Sequence, residues 1–150
     1  MRTEPFNSTP VLSGDGILTL IPQRPPIVMV DSFFGLQQEY SFTGLTLCES
    51  NMFCTGGQFS ECGVIEHIAQ SAAARIGYIY MQKNEPVPLG FIGSVDKMTI
   101  FALPNAGDVL WTTLKVEQEV FDITMVSAEV RVGETLIAQG LLKIFLKKEE

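Results

Sequence analysis

The side chains of this sequence that could do acid–base chemistry gather in one short segment, residues 58–70. Glu66 offers a carboxylate that could act as a general acid or base, and His67 is the only histidine of the chain. On a helix, Gln70 would follow Glu66 by one turn and could fix its carboxylate by a hydrogen bond, while Cys62 would precede it by one turn. The sequence therefore predicts one candidate site, centred on Glu66.

Each of these residues also has a purely structural interpretation. Glu66 could be a partly exposed acid that is favoured by the helix dipole. His67 diverges from Glu66 by ~100° on a helix, so we expect it at the surface or at an interface rather than as a catalytic base. Cys62 lies where a helix N-terminus can lower a thiol pKa, but it could equally be a small core residue. Gln58 could be a solvated loop amide.

One long helix must position these side chains. From Cys62 to about Gln82, apolar residues recur every three to four positions, with Ser60 as N-cap and Asn84-Glu85-Pro86 as the stop. A helix of ~20 residues would be ~30 Å long, enough to cross a small domain. Its small residues would let another backbone, such as the helix of a mate, come close: Ala72, Ala73 and Gly77.

Strands account for most of the remaining chain. Two strand-like runs, near residues 27–36 and 40–48, precede the helix, and apolar and polar residues alternate in about four strands after it. Residues 132–135 have the composition of a hairpin turn. One helix covers one face of a sheet, which predicts an α+β domain over residues 17–150 with a curved antiparallel sheet of about six strands around the helix. Residues 1–16 are predicted to be a flexible lead-in, and the free sheet edge favours a dimer.

Composition excludes several classes of function. A chain of 150 residues with a net charge of −7 is one domain that is poorly suited to nucleic acid. No stretch reaches the ~18 apolar residues of a membrane span. Cys48, Cys54 and Cys62 do not match common zinc spacings, and an odd, sparse cysteine count indicates the cytoplasm. We expect neither a metal nor a cofactor.

Four segments, in this order, resemble the motifs of the β-hydroxyacyl-acyl-carrier-protein dehydratases. They are Pro22–Asp31, Glu66–Gln70, Phe91–Lys97 and Pro104–Asp108, and the similarity runs from about residue 18 to 146. The sequence Ile65–Ala74 is closer still to the dehydratase-like proteins of aryl-polyene pigment clusters, which act beside a second, orthodox dehydratase subunit. The resemblance implies the hotdog fold, dimers, and acyl groups carried as thioesters on the phosphopantetheine arm of acyl carrier protein or coenzyme A.

The resemblance also implies roles for residues, and one of them is missing. In the family, a histidine in a Gly-His-Phe-Pro segment removes the C2 proton, a helix carboxylate of the neighbouring subunit handles the departing hydroxyl, and the helix N-terminus holds the thioester carbonyl. Here Gly57-Gln58-Phe59-Ser60 stands in that place, and an amide cannot accept the proton. Gln23 likewise replaces the histidine of the opening motif. Glu66 remains as the catalytic carboxylate.

Three functions stay open at this point. The chain could be a 3-hydroxyacyl thioester dehydratase subunit, inactive alone, in which Glu66 is the acid and another chain supplies the histidine. It could be a hotdog thioesterase, or a non-catalytic acyl-binding or scaffold subunit, in a homodimer or in a heterodimer with an orthodox dehydratase. We expect a tunnel for the acyl chain beside the helix start, lined by Phe59, Val64 and the strands near Phe91. The predicted substrate-binding residues are Gln58, Phe59, Cys62, Gly63, Val64, Gln70 and Phe91.

Overall fold

The computed structural model describes residues 9–147, which form one large antiparallel sheet and one long helix. The helix, α1, spans Glu61–Gln82. A 3-10 helix spans Gly14–Thr19. The strands in chain order are β1 Leu12–Ser13, β2 Ser32–Gln37, β3 Tyr40–Thr46, β4 Cys54–Thr55, β5 Gln58–Phe59, β6 Leu89–Ile100, β7 Val109–Val120, β8 Ile123–Val132 and β9 Thr135–Lys147.

The sheet has seven strands in the order β1-β2-β3-β7-β8-β9-β6, and β4 and β5 pair separately. The predicted order of two strands, a long helix and four strands is confirmed, with β1 added at one edge. Within the predicted lead-in, residues 12–16 form β1, which pairs with β2, and the first residues of the 3-10 helix. Residues 1–8 lie outside the described part of the chain.

The main core lies between α1 and one face of the sheet. Helix residues at intervals of four, Val64, Ile68, Ala72 and Ile76, pack against inward side chains of β3 and β7–β9. The sheet forms the other side of this core, because every second side chain of each strand faces the helix. Members of that side include Leu45, Leu110, Leu114, Val126, Val130, Ala138, Leu142 and Ile144.

A second core lies on another side of the helix. Ile17, Leu20 and Ile21 pack there with Phe33 and Ala74. Gly77, one of the small residues predicted to contact the helix of a second subunit, is instead buried against the backbone of Leu20 in the same chain.

Candidate functional site

The start of α1 is held by its cap and by two short strands. The Ser60 hydroxyl accepts a hydrogen bond from the Gly63 N–H (3.1 Å), which confirms the predicted N-cap. Upstream, the Phe59 N–H donates to Pro104 O and the Ala106 N–H donates to Gly57 O. The Gly-Gln-Phe-Ser segment, which stands in place of the Gly-His-Phe-Pro motif, is thus joined by backbone hydrogen bonds to the Pro-Asn-Ala-Gly-Asp turn.

The predicted substrate-binding residues at the helix start divide into exposed and buried groups. Gln58 and Cys62 are exposed. Phe59 and Val64 are fully buried in the main core. Gly63 is also buried, and a Cβ at this residue would lie 2.6 Å from the ring of Phe59. The interior at the helix start is therefore filled by protein side chains.

Glu66 is half-buried and accepts a hydrogen bond from Gln70, one of the two interpretations that the sequence left open for that residue. The Gln70 Nε2 donates to Glu66 Oε2 at 2.8 Å, across one turn of α1. The same amide nitrogen donates to Ile27 O (2.8 Å), and Gln70 Oε1 accepts from the Met29 N–H (2.6 Å). Glu66 is therefore a held carboxylate that still reaches solvent, as a group that exchanges protons with a substrate must.

The expectation that His67 lies at the surface or at an interface is wrong. Its side chain is 0% exposed, with Nδ1 2.6 Å from Met29 O and Nε2 2.6 Å from Thr112 Oγ1. Burial lowers the pKa of His67 to about 4, against smaller opposing effects of the Met29 carbonyl and Asp31. With both nitrogens occupied and no exposed surface, this imidazole cannot abstract a proton from a substrate.

An apolar cleft runs beside α1, further from the helix start than the predicted tunnel, and the strand that contains Phe91 forms part of its wall. It has a volume of about 1090 Å³ and lies along the middle and end of the helix, between α1 and β6. Its wall on α1 includes Ala69 and Ala73, three and seven residues after Glu66, so Glu66 continues the same helix face by one turn towards the N-terminus. Further lining residues are Leu20, Ile21, Ile76, Tyr80, Leu89 and Ile92.

Phe91 does not lie with Phe59 and Val64. It pairs with Phe145, whereas its neighbour Ile92 pairs with Ile144, a member of the main core. Successive side chains of a strand point to opposite faces, so Phe91 lies on the outer face of the sheet, where it is 49% exposed. The side chain of Phe91 thus points away from the cleft, whereas its neighbours Gly90 and Ile92, on the strand that the sequence predicts as a tunnel wall, line it.

Sequence reasoning missed the buried partners of the helix, above all Thr112 and the backbone of Met29. A signal was present in the sequence. Thr112 lies on the same strand face as the apolar residues Leu110 and Leu114, and a buried hydroxyl on such a face needs a partner. Thr43 gives the same signal and bonds to Ser71 Oγ at 2.7 Å. Polar residues at inward positions of the strands thus mark the helix residues that face them.

Neither a metal centre nor a membrane span is found in the described part of the chain. Residues 9–147 hold no group of three or more His, Cys, Asp and Glu side chains placed to ligate a metal ion. Their helices include none with the length and hydropathy that crossing a bilayer demands.

The long helix on an antiparallel sheet, with a held carboxylate near the helix start, defines a dehydratase-like protein of the hotdog fold. The sequence profile of the ApeP-like family, described as ApeP dehydratase, matches residues 16–150. This chain therefore belongs to the ApeP-like dehydratase family.

Relatives and solved structures agree with this assignment. The 3-hydroxyacyl-[acyl-carrier-protein] dehydratase FabZ of Natranaerobius thermophilus is 30% identical over 134 residues, covering 87% of this chain and 94% of the relative. FabZ of Desulfotalea psychrophila is 27% identical over 132 residues, covering 85% and 88%. Among solved structures, the dehydratase heterocomplex ApeI:P from Xenorhabdus doucetiae matches with a TM-score of 0.81 at 15% identity, covering 89% of this chain and 91% of that chain.

Proposed function

We propose that this chain is one subunit of a heterodimeric 3-hydroxyacyl thioester dehydratase, in which it supplies the acid and its partner supplies the base. The observation that carries the proposal is the contrast between Glu66 and His67. The only histidine is sealed in the core, whereas the carboxylate beside it is held by Gln70 and reaches solvent. The FabZ relatives support the substrate class, acyl groups carried as thioesters on acyl carrier protein.

The reaction divides between the two subunits. A histidine of the partner takes the C2 proton of the 3-hydroxyacyl thioester, and the electron pair moves to form the C2–C3 double bond. The carboxylic acid form of Glu66 gives its proton to the C3 hydroxyl, which leaves as water. The thioester carbonyl accepts from N–H groups at the start of α1, where the helix dipole favours the developing negative charge.

The N–H groups available for the carbonyl are those of the first helical residues. Ser60 already accepts from the N–H groups of Gly63 and Val64. Glu61 and Cys62 are the first two residues of α1, and both are exposed. The first N–H groups of a helix have no acceptor within the helix, so these two can bind a carbonyl. Cys62 thus remains a predicted substrate neighbour through its backbone, and Gly63 does not.

The free edge of β6 supports the placement of the partner. β6 ends the seven-stranded sheet, and on its outer side no further strand of residues 9–147 pairs with it. Its side chains Leu89, Phe91 and Ile92 are largely exposed, and Ile92 also lines the cleft. A long apolar edge strand is a ready surface for another chain. In this proposal the partner pairs along β6 and covers the cleft, which brings its base towards Glu66.

The test is co-expression with an orthodox dehydratase subunit that carries the Gly-His-Phe-Pro histidine. The purified pair is assayed on a 3-hydroxyacyl thioester for enoyl product. Glu66→Gln in this chain should lower turnover by ~10²–10⁴-fold, the usual worth of a general acid. Glu39→Gln is the control, because it removes an exposed carboxylate from the turn between β2 and β3, outside the helix start and the cleft, and should leave turnover unchanged.

The other functions appear as distinct outcomes of the same assay. Unchanged turnover in the Glu66→Gln pair, with the complex intact by size-exclusion chromatography, would make this chain a support or acyl-binding subunit. Release of free thiol from a saturated acyl thioester, abolished by Glu66→Gln, would make it a thioesterase. A cytoplasmic location remains part of the proposal.

A further inference from the structure

Met29 lies in a buried stretch of backbone that pairs with side chains of α1 in place of a strand. It is 1% exposed, and β2 begins only at Ser32. The Met29 carbonyl oxygen lies 2.6 Å from His67 Nδ1, and the Met29 N–H donates to Gln70 Oε1 at 2.6 Å. Buried backbone groups need partners, so these two side chains fix this peptide segment against the helix.

The surroundings of His67 allow one placement of its proton. Met29 O can only accept a hydrogen bond, so Nδ1 must carry the hydrogen. The buried imidazole is neutral near pH 7, since its pKa is lowered to about 4, and Nε2 is therefore an acceptor. Thr112 supplies the matching donor through its hydroxyl. The carbonyl of Met29 and the hydroxyl of Thr112 thus select the Nδ1–H tautomer.

The orientation of the Gln70 amide follows from the position of Met29. Gln70 Oε1 must face the Met29 N–H, because a flipped amide would place two donors against each other. Nε2 is then directed at Ile27 O and at Glu66 Oε2, which uses both of its hydrogens. The carboxylate of Glu66 is therefore held by an amide whose direction is set by the backbone of Met29.

We propose that His67 is a positioning residue for Glu66, acting through the Met29 peptide and the Gln70 amide. This inference rests on the proposed role of Glu66 as the acid. His67 does not face the substrate, because consecutive helix residues diverge by ~100° and its side chain is fully buried. It fixes Met29, which fixes Gln70, which holds the carboxylate in one place.

Two substitutions at residue 67 separate positioning from general support of the fold. In His67→Asn, the short amide can place its nitrogen near the position of Nδ1 and keep the bond to Met29 O. In His67→Gln, the longer amide reaches towards the position of Nε2 and keeps the contact with Thr112 but not the one with Met29. Both variants remove the imidazole and both leave an amide in the core.

Two readouts follow the chain of contacts. The first is the side-chain amide signal of Gln70 in the NMR spectrum of this chain alone, which should exchange slowly with water in the wild type and in His67→Asn, and rapidly in His67→Gln. The second is turnover by the co-expressed pair. We expect His67→Asn to stay within about threefold of wild type, and His67→Gln to lose kcat on the order of 10²-fold with KM unchanged, the cost of misplacing a catalytic group by about 1 Å.

The possible outcomes assign failure to one proposal or the other. Equal exchange of the Gln70 amide in both variants would overturn the positioning role of His67. If the Gln70 amide exchanges rapidly only in His67→Gln, while both variants keep wild-type turnover with the partner subunit, the contacts from His67 to Gln70 are confirmed. The role of Glu66 as the acid is then overturned. If neither variant folds, the wild-type chain decides: its single histidine gives an unambiguous ¹⁵N spectrum, and protonation at Nε2 instead of Nδ1 would overturn the proposal.

Discussion

Gly77 of the helix lies directly against the backbone of Leu20: a Cβ at residue 77 would be 2.0 Å from the Leu20 carbonyl oxygen and 2.8 Å from its Cα. No side chain can give way there, because the contact is with backbone. The close approach lets the 3-10 helix and the segment after it pack on α1, and so builds the second core.

Gly77→Ala should therefore destabilise the protein, although alanine favours a helix by ~1 kcal/mol relative to glycine. Overpacking of this kind costs ~1–3 kcal/mol, and here the backbone has to move. Thermal or urea unfolding measures the change. Gly16→Ala is the control, since a Cβ there meets only the Leu12 side chain at 3.4 Å and should alter stability little. Equal effects of the two substitutions would contradict the close contact.

Acid should unfold this protein partly through His67. Its pKa is about 4 when folded and 6.5 when unfolded. Above pH 6.5 neither state binds the proton, so the stability is fully present; between pH 6.5 and 4 only the unfolded chain binds it, and stability falls. The gap corresponds to ~3 kcal/mol. Asp31 and the half-buried Glu66 are the nearby acids on the packed elements, and Asp31 opposes the lowering.

The measurement is the free energy of unfolding from pH 7.5 to 4 for the wild type and for His67→Asn, whose side chain does not titrate. The wild type should lose ~3 kcal/mol more than the variant over this range. Parallel curves would show that His67 binds its proton equally well in both states.

The chain alone should have little or no dehydratase activity. Gln58 stands where the family histidine is expected, and His67 is sealed in the core, so no imidazole in the chain can take the C2 proton. The assay is enoyl formation from 3-hydroxyacyl thioesters by the purified chain, compared with the co-expressed pair. Robust turnover by the single chain would mean that another group serves as the base.

Ile92→Glu should weaken the pair, because it places a charge in the edge and cleft that we propose the partner covers. Burying an unpaired carboxylate is costly, and we expect the dissociation constant to rise at least tenfold, about 1.4 kcal/mol. Leu36→Glu is the matched control: Leu36 is also 41% exposed, but it lies on β2 near the other edge of the sheet. Analytical size exclusion measures both, and equal weakening would move the interface away from β6.

Local patterns predicted the elements well. The Ser60 cap, the end of α1 at Gln82 and the turn between Val132 and Thr135 are each decided by a few neighbouring residues, and all three are confirmed. The bond from Gln70 to Glu66 is likewise local, one helical turn.

What failed depended on distant partners. Helical geometry indicated that His67 and Glu66 point apart, but not that His67 faces Thr112 across the core. The sequence did not show on which face of the sheet Phe91 lies, because strand alternation gives two faces and only the pairing of β6 with β9 decides between them. β1 was missed because a strand of two residues has no period to detect.

The segment before the helix has a consequence for how such proteins diverge. Gly57 and Phe59 are tied to the Ala106 and Pro104 backbone, and the side chain of Gln58 between them is exposed. The side chain at residue 58 is therefore little constrained by folding, because hydrogen bonds of the main chain hold this segment. A histidine at this position could therefore be replaced without loss of the fold. In the proposed heterodimer, the partner subunit would then keep the base and this chain the acid.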